Sequence, residues 1–458
     1  MAAAIRTSRG EAWLHSGRPC LLHVVTASTN RLARDETVPE WISGSLGNRP
    51  DDHYASPMPM QSIPLAVTAH TATSALGHGL ASQLDALTKG RSGLRPNDLG
   101  GAPLACWIGR VDGVEAVELP RDLAHWDCRN NRLAWLGLQQ DGFLEQVRAA
   151  RERYGASRVA LLLGTSTASI GATEEAYRRL DPAGHFPEDL QRPQIHALHS
   201  LGGFVAAALE LQGPCMTVST ACSSSAKVFA SAERMIRLGL ADAAVVGGVD
   251  TLCDSVLYGF NALELVARAP CRPFDAVRDG ISLGEAAGFA LLERAEAAPD
   301  APRLLGYGEA SDAHHMSTPH PEGLGAALAL RDALARAGLE PAQVDYVNLH
   351  GTASRKNDEV EAALVNRSFP ASTRVSSTKG YTGHTLGAAG IVEAVMALLA
   401  IEHGLVPGNL GGDAPDPECG ASFAWRNEQR PVQVALSNSF GFGGSNACLA
   451  FASAGFAA

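Results

Sequence analysis

Val218-Ser-Thr-Ala-Cys222-Ser-Ser-Ser-Ala-Lys-Val-Phe-Ala-Ser-Ala-Glu-Arg-Met-Ile-Arg-Leu-Gly239 is the stretch from which the fold and the chemistry are read. A β-prone segment, Cys215 to Ser219, stops abruptly, and a helical pattern begins at once with Cys222 in its first turn. A thiol placed there faces unpaired backbone N–H groups and the positive end of the helix dipole, and both favour the thiolate, the nucleophilic form. Taken alone, the run leaves two readings open: an activated nucleophile on a tight strand-to-helix turn, or a buried structural cysteine.

Working outward, short apolar runs alternate with helical patterns. Ile63–Ala69, Val159–Gly164, Asp242–Gly248, Leu304–Ala310, Val344–His350, Arg374–Thr378, Val432–Ser439 and Ala447–Phe451 read as strands; Leu80–Lys89 and His384–His403 read as helices. Runs such as Val159-Ala-Leu-Leu-Leu-Gly164 have the continuous hydrophobicity of strands buried on both faces. Strands alternating with helices imply a layered α/β fold. The grammar also repeats: strand, turn, Cys222, helix, glycine returns as strand, turn, His384, helix, Gly404. This echo predicts two related halves, 60–298 and 302–458, whose helix N-termini converge. Residues 1–59 are poorly patterned and are expected to be a partly disordered N-terminal extension.

Composition narrows the function classes. The 458 residues are 46% hydrophobic, 19% charged and 6% aromatic, with a net charge of −11. The charge argues against general nucleic-acid binding but leaves room for a local basic patch that docks an acidic partner. Nine scattered cysteines without a Cys-x-x-Cys pair argue against zinc ribbons and disulfide scaffolds and point to a reducing cytoplasm. No run reaches the ~18 consecutive apolar residues of a membrane span, and the N-terminus lacks a secretory pattern.

Three further motifs carry chemistry. Asn348-Leu-His350-Gly-Thr352-Ala-Ser354 ends a strand on a histidine followed by two hydroxyls; a polar loop histidine is the alternative reading. Lys379-Gly-Tyr-Thr-Gly383-His384-Thr-Leu-Gly387-Ala-Ala-Gly-Ile-Val-Glu393 places His384 at a helix start, where the dipole disfavours imidazolium. Its two outlying charges, Lys379 and Glu393, must pair if they are buried. Phe440-Gly-Phe442-Gly-Gly-Ser-Asn446 is a glycine-rich loop holding two rings. Gly443 and Gly444 could aim N–H groups at a ligand, no Walker or Rossmann spacing is present, and the rings suit a hinged gate. A fourth run, Cys271–Gly288, mixes Arg272, Asp275, Arg278, Asp279 and Glu285 with Pro and Gly and reads as an ordered ion-pair loop.

Together these motifs closely resemble the β-ketoacyl-acyl carrier protein synthases, condensing enzymes of the thiolase superfamily, over about residues 62–452. The resemblance implies a duplicated, thiolase-like α/β/α/β/α layered fold. It implies Cys222 as nucleophile, His350 and His384 as the paired active-site histidines, and Lys379 and Glu393 as supporting groups. Phe442, with Phe440, would gate the site and supply an oxyanion-hole N–H; Thr352 and Ser354 would meet the pantetheine arm. The implied reaction is decarboxylative Claisen condensation of an acyl group on Cys222 with malonyl-acyl carrier protein, without metal or redox cofactor. The implied partners are an acyl carrier protein and a second subunit, either a copy of the chain or a chain-length-factor-like protein. Two histidines separate the chain from initiating synthases, and Cys222 separates it from inactive chain-length partners. The second active-site cysteine of degradative thiolases is absent from the Phe-Gly-Phe loop, and Cys448 reads as structural. Ala353, Ser354 and Asn357 depart from the usual family wording. The motifs are nearer to pigment-type polyene synthases than to housekeeping elongation enzymes. Lys89 and Arg91 are candidates for carrier docking.

Overall fold

The computed structural model describes residues 62–456 apart from 101, 102 and 413; the extension expected over residues 1–59 lies outside the described residues. Ten strands define the frame: β1 Leu65–Ser74, β2 Val159–Gly164, β3 Cys215–Val218, β4 Ala243–Asp250, β5 Ala286–Arg294, β6 Arg303–Ser311, β7 Tyr346–Asn348, β8 Arg374–Ser376, β9 Val434–Gly441 and β10 Ser445–Ala452. They form one path in the order β8-β7-β9-β10-β6-β1-β5-β4-β2-β3, with the short strand Gly77–His78 paired to β1. From the central β1–β6 seam the two arms follow one plan. In each, the inner pairs are antiparallel (β1–β5–β4 and β6–β10–β9) and the outer pairs parallel (β4–β2–β3 and β9–β7–β8).

Seven helices cover and separate these arms: α1 Arg129–Leu138, α2 Phe143–Tyr154, α3 Ser200–Ala208, α4 Ser224–Arg237, α5 Leu324–Ala337, α6 Arg355–Ser368 and α7 Ala389–His403. Three cores follow from strand alternation. Val159, Leu161 and Leu163 of β2 point to one side, where they meet Leu133, Phe143 and Phe204 of α1, α2 and α3. Ala160 and Leu162 point to the other, where they join Phe229 of α4 and Leu398 of α7. The central core also takes Tyr307, Tyr346 and Leu449 from the other arm. Beyond that arm, Leu330 of α5 and Val365 of α6 pack on Val347 and Leu436. Apolar residues on both faces of a strand thus report two helical layers, one on each side. The result is the five-layer, thiolase-like α/β/α/β/α arrangement expected from the sequence.

The strands and helices read from the sequence are present, with ends shifted by a few residues. Two readings are corrected. Gly284–Gly288 is not the tail of a loop: it leads into β5, a central strand buried along all but its last residue. Its Ala- and Gly-rich start lacks the β-branched residues that mark a strand, and burial between β1 and β4 supplies what propensity does not. Second, α4 begins at Ser224 with Ser223 as its N-cap, so Cys222 precedes the helix rather than sitting in its first turn.

Leu386–His403 is the one helical segment among the described residues long and apolar enough to cross a membrane, and 83% of it is buried inside the protein as the central layer. Its hydrophobicity all round is that of a helix packed on every side. It lies close to α4: a Cβ on Gly390 would stand 2.4 Å from the backbone nitrogen of Ala226. Gly390→Val should therefore force the two helices apart. The expected cost is about 1–3 kcal/mol of overpacking, read as a lower urea midpoint; an unchanged midpoint would contradict this packing.

Candidate active site

The chain turns from β3 into α4 through Ala221, a non-glycine residue in the left-handed region at φ 51°. Such a conformation persists only where its surroundings enforce it. Here the Ser224 hydroxyl donates to the Ala221 carbonyl at 2.5 Å and accepts the Thr220 N–H at 2.9 Å. The Ser223 hydroxyl donates to the Thr220 carbonyl at 2.9 Å. The serines after the cysteine therefore build the elbow that projects Cys222.

His384 is held from both sides of its backbone. Its N–H donates to the Ser282 carbonyl at 2.8 Å, and its carbonyl accepts the Gly284 N–H at 2.9 Å. Gly383, at φ 72°, makes the turn before it. The ring's Nε2 lies 3.0 Å from Cys222 Sγ. His350 follows the end of β7. Its N–H and that of Gly351 each donate at 2.8 Å to the buried carboxylate of Glu361, which also accepts Asn438 Nδ2 at 3.2 Å. The two imidazoles meet edge to face at 5.3 Å. The ligating atoms of Cys222, His350 and His384 all fall within 4.8 Å of one another.

Behind them lies a buried ion pair. Lys379 Nζ donates to Glu393 Oε1, to the His350 carbonyl at 2.5 Å and to His350 Nδ1 at 3.3 Å. An ammonium has only protons to give, so His350 Nδ1 is the acceptor and its Nε2 carries the N–H that faces the cavity. Lys379 and Glu393, read as a pair from the sequence, are joined as that reading required.

Electrostatics corrects one expectation and re-explains another. Burial pushes the Cys222 thiol up to about 11, outweighing the Lys379 charge and the Phe442 N–H that act the other way. The thiolate is therefore not favoured by position alone; desolvation dominates, and the helix starts two residues further on. The nearest base for the thiol proton is His384 Nε2. Both histidines are held well below their usual range, first by burial and then by Lys379, with His384 adding to the effect on His350. They are neutral, as expected for His384, but burial rather than a helix dipole is the leading cause: His384 does not start the helix as expected, since the helical run begins at Leu386 and α7 itself at Ala389. Burial also pushes Glu393 up to about 7 against the pull of Lys379.

A cavity of about 350 Å³ opens onto this set. Cys222, His350 and His384 line its buried part; Thr352, Ser354, Phe440 and Phe442 line its walls; exposed Glu264, Asp279, Arg355 and Lys356 lie at its rim. Every residue expected at the site is thus brought together, with Lys379 and Glu393 packed behind it. The Thr352 and Ser354 hydroxyls are 2.9 Å apart. The Phe442 ring stacks on Phe260 at 5.6 Å, and Phe440 lies 5.7 Å from the His350 ring. The glycine-rich loop departs from expectation: the Gly443 N–H is taken by the Met316 carbonyl at 2.7 Å, so the N–H directed at Cys222 is that of Phe442.

Phe260 and Asp312 were missed by sequence reading, while Glu361 and Asn438 lie in runs it singled out but were given no role. Asp312 clasps two loops. Its N–H donates to the Gly444 carbonyl at 2.9 Å, and its carboxylate accepts Gly325 N–H and Asn446 Nδ2, both at 3.0 Å. Glu361 offered a signal, an acidic residue three positions after Asp358 on a helix that begins beside the His350 loop. The ion pairs of the Cys271–Gly288 run are structural, as read, although Asp279, Gly280 and Ile281 also line the cavity. Arg278 is buried against Asp358 and Asp416, and Glu285 accepts the Val111 and Leu252 N–H groups and pairs with Arg129. Lys89 and Arg91 are exposed and both pair with Asp85.

Two outcomes are expected. Burial raises the native Cys222 thiol to about 11, and His384→Ala removes the base that stands 3.0 Å from it. A raised value keeps it protonated through neutrality, so its iodoacetamide alkylation should climb about tenfold per pH unit above pH 7. Native-like alkylation of the variant at neutral pH would contradict the assignment. Glu361→Ala should orphan the His350 and Gly351 N–H groups at about 1–3 kcal/mol each, read by denaturant unfolding, whereas Glu361→Gln should retain part of that stability.

Comparison with known proteins agrees with this geometry. Residues 63–298 match the family model for the β-ketoacyl synthase N-terminal domain, and residues 302–413 match that for the C-terminal domain. The chain is 32% identical to 3-oxoacyl-[acyl-carrier-protein] synthase 2 of Synechocystis sp., over 84% of this chain and 97% of that protein. It is 39% identical to the mitochondrial 3-oxoacyl-[acyl-carrier-protein] synthase of Arabidopsis thaliana, over 61% of this chain and 63% of that one. Among solved structures, a ketosynthase in complex with its chain length factor from Xenorhabdus doucetiae superposes with a TM-score of 0.78 at 36% identity, covering 85% of this chain and 98% of that one. With its five layers, its Cys-His-His cluster and both family domains in order, the chain belongs to the β-ketoacyl synthase family.

Proposed function

We propose that this chain is an elongating, acyl-carrier-dependent condensing enzyme in which Cys222 carries the growing acyl group. The observation that carries the residue assignment is the contact between Cys222 Sγ and His384 Nε2 at 3.0 Å, with His350 beside them at the end of an open cavity. The Cys222 sulfur gives its proton to His384 and attacks the carbonyl of an acyl thioester. The Phe442 N–H, already directed at Cys222, serves the developing oxyanion together with the Cys222 N–H. The pantetheine sulfur leaves and takes the proton from His384, which returns to its neutral form, and the acyl group stays on Cys222.

A malonyl thioester enters next. Its carboxylate is released as carbon dioxide, and the electron pair of the broken bond becomes an enolate. The Nε2–H of His350, fixed by Lys379, hydrogen-bonds the enolate oxygen; His384 joins it as its other neutral tautomer, the proton moving from the unpartnered Nδ1 to Nε2 once the acylated sulfur no longer has a proton to give. The carbanion attacks the acyl carbonyl, the Cys222 sulfur leaves as a thiolate and regains its proton from solvent, and a 3-ketoacyl thioester two carbons longer departs. Neutral histidines suit this step, since the donated proton stays on nitrogen while charge develops on oxygen.

The chemistry calls for no metal or redox cofactor, and the Lys379 ammonium beside the Cys-His-His cluster disfavours a second cation there. The eight described cysteines are all free, in keeping with a reducing cytoplasm. We assign a second subunit to the outer edge of β3, the last strand of its arm, where Met216 is 42% exposed. Likeness to the ketosynthase solved with its chain length factor supports a partner of that kind and a specialised pathway.

Cys222→Ala should abolish acyl-enzyme formation, seen as loss of the acyl mass increment. His384→Ala should lower condensation by at least ~10³-fold, the scale seen when a catalytic group or oxyanion donor is removed. A Cys222→Ala protein that still made 3-ketoacyl product would overturn the assignment. An unmodified native Cys222 after incubation with acyl carrier would identify a non-catalytic partner subunit instead. Reversible cleavage of 3-ketoacyl-coenzyme A, without use of malonyl carrier, would identify a thiolase.

A further inference from the structure

The rim of the cavity has an uneven charge pattern that the condensation chemistry does not use. It carries two acids, Glu264 and Asp279, and two cations, Arg355 and Lys356. Lys356 is engaged: its Nζ pairs with Glu359 at 3.0 Å. Arg355 makes no ion pair among the described residues, and it is exposed. Its backbone is fixed nonetheless. Its carbonyl accepts Arg278 Nη2 at 3.3 Å, and Arg278 is itself buried against Asp358 and Asp416. Arg355 is therefore a fixed post with a free charge, set in a chain whose net charge is −11.

We infer that Arg355 anchors the phosphate of the substrate's phosphopantetheine arm at the mouth of the cavity. This rests on the carrier-dependent function proposed above and names a contact for that substrate. Among these lining residues exposure rises along the chain, from buried His350 and Thr352 through half-buried Ser354 to exposed Arg355, which orders them from the floor of the cavity to its mouth. Along the arm the groups run from thioester through two amides to phosphate. The two orders match: neutral donors for the thioester, hydroxyls for the amides, a cation for the anionic end. A guanidinium suits this last position because its planar fork holds two phosphate oxygens at once. Glu264 and Asp279 on the same rim repel the phosphate elsewhere and so narrow where it can rest.

The test uses the purified chain and two small acyl donors, hexanoyl-pantetheine and hexanoyl-4′-phosphopantetheine, with acylation of Cys222 followed by intact mass. The native protein should prefer the phosphorylated donor by about tenfold, the weight of one exposed charge-assisted contact. The preference should shrink as ionic strength rises. Arg355→Ala should bring the ratio close to one, Arg355→Lys should restore part of it, and Lys356→Ala should leave most of it in place. A native protein without preference, or an Arg355→Ala variant that keeps it, would overturn the inference. So would a variant that loses only acylation from the intact carrier protein, since Arg355 would then meet acidic side chains of the carrier. A native protein that accepts neither donor nor carrier would instead overturn the condensing-enzyme function itself.

Discussion

Helices α4 and α7 press together at the middle of the molecule, and the rest of the structure is arranged around that contact. Neither helix has a solvent face over much of its length: α7 is buried from Ala389 through Ala400, and α4 packs into the same core. With Gly390 against the Ala226 backbone, the helices approach more closely than larger side chains would permit. Each is preceded by a strand and a sharp turn, and the turns carry Cys222 and His384. The distance of 3.0 Å between their reacting atoms is therefore set by the packing of the two helices together with the Ser282 and Gly284 backbone that clamps His384. Both arms of the sheet serve as walls that hold this central layer in place.

A site assembled at the core of a protein inherits the core's electrostatics. Desolvation raises the thiol, depresses both histidines and raises Glu393, each toward its uncharged form. Lys379 is the charge placed against that tendency. Pairing with Glu393 makes its burial tolerable, and its remaining protons orient His350 through both the ring and the carbonyl. Removing one partner would leave the other buried and unpaired, an expensive state. The surroundings thus favour a neutral set whose charge appears only as the reaction proceeds.

The groups that do the chemistry were legible because each sits in a short run whose composition is hard to explain otherwise. A cysteine among serines after a strand, a histidine after Gly383, and Lys379 and Glu393 flanking small apolar residues are all local patterns. The layered fold was legible from strands such as Val159–Gly164, whose continuous hydrophobicity requires cover on two sides. What escaped was non-local. Strand β5 begins with small residues and owes its existence to its neighbours. The state of the Cys222 thiol depends on how much protein surrounds it, which a helix start does not reveal. Asp312 looks like any loop aspartate until Gly444 and Asn446, more than a hundred residues away, fold against it.

That last contact bears on how the enzyme can change over evolutionary time. The loop beginning at Asp312 and the loop holding Phe442 are clasped through Gly444 and through Met316 to Gly443. They come from distant parts of the chain, yet they form one mechanical part. An altered length or altered stiffness in either would be felt by the other, so neither is free to drift alone. Variants that admit bulkier or more rigid acyl chains would then be expected to arise as paired changes in the two loops, inherited together, with the Cys-His-His set behind them left untouched.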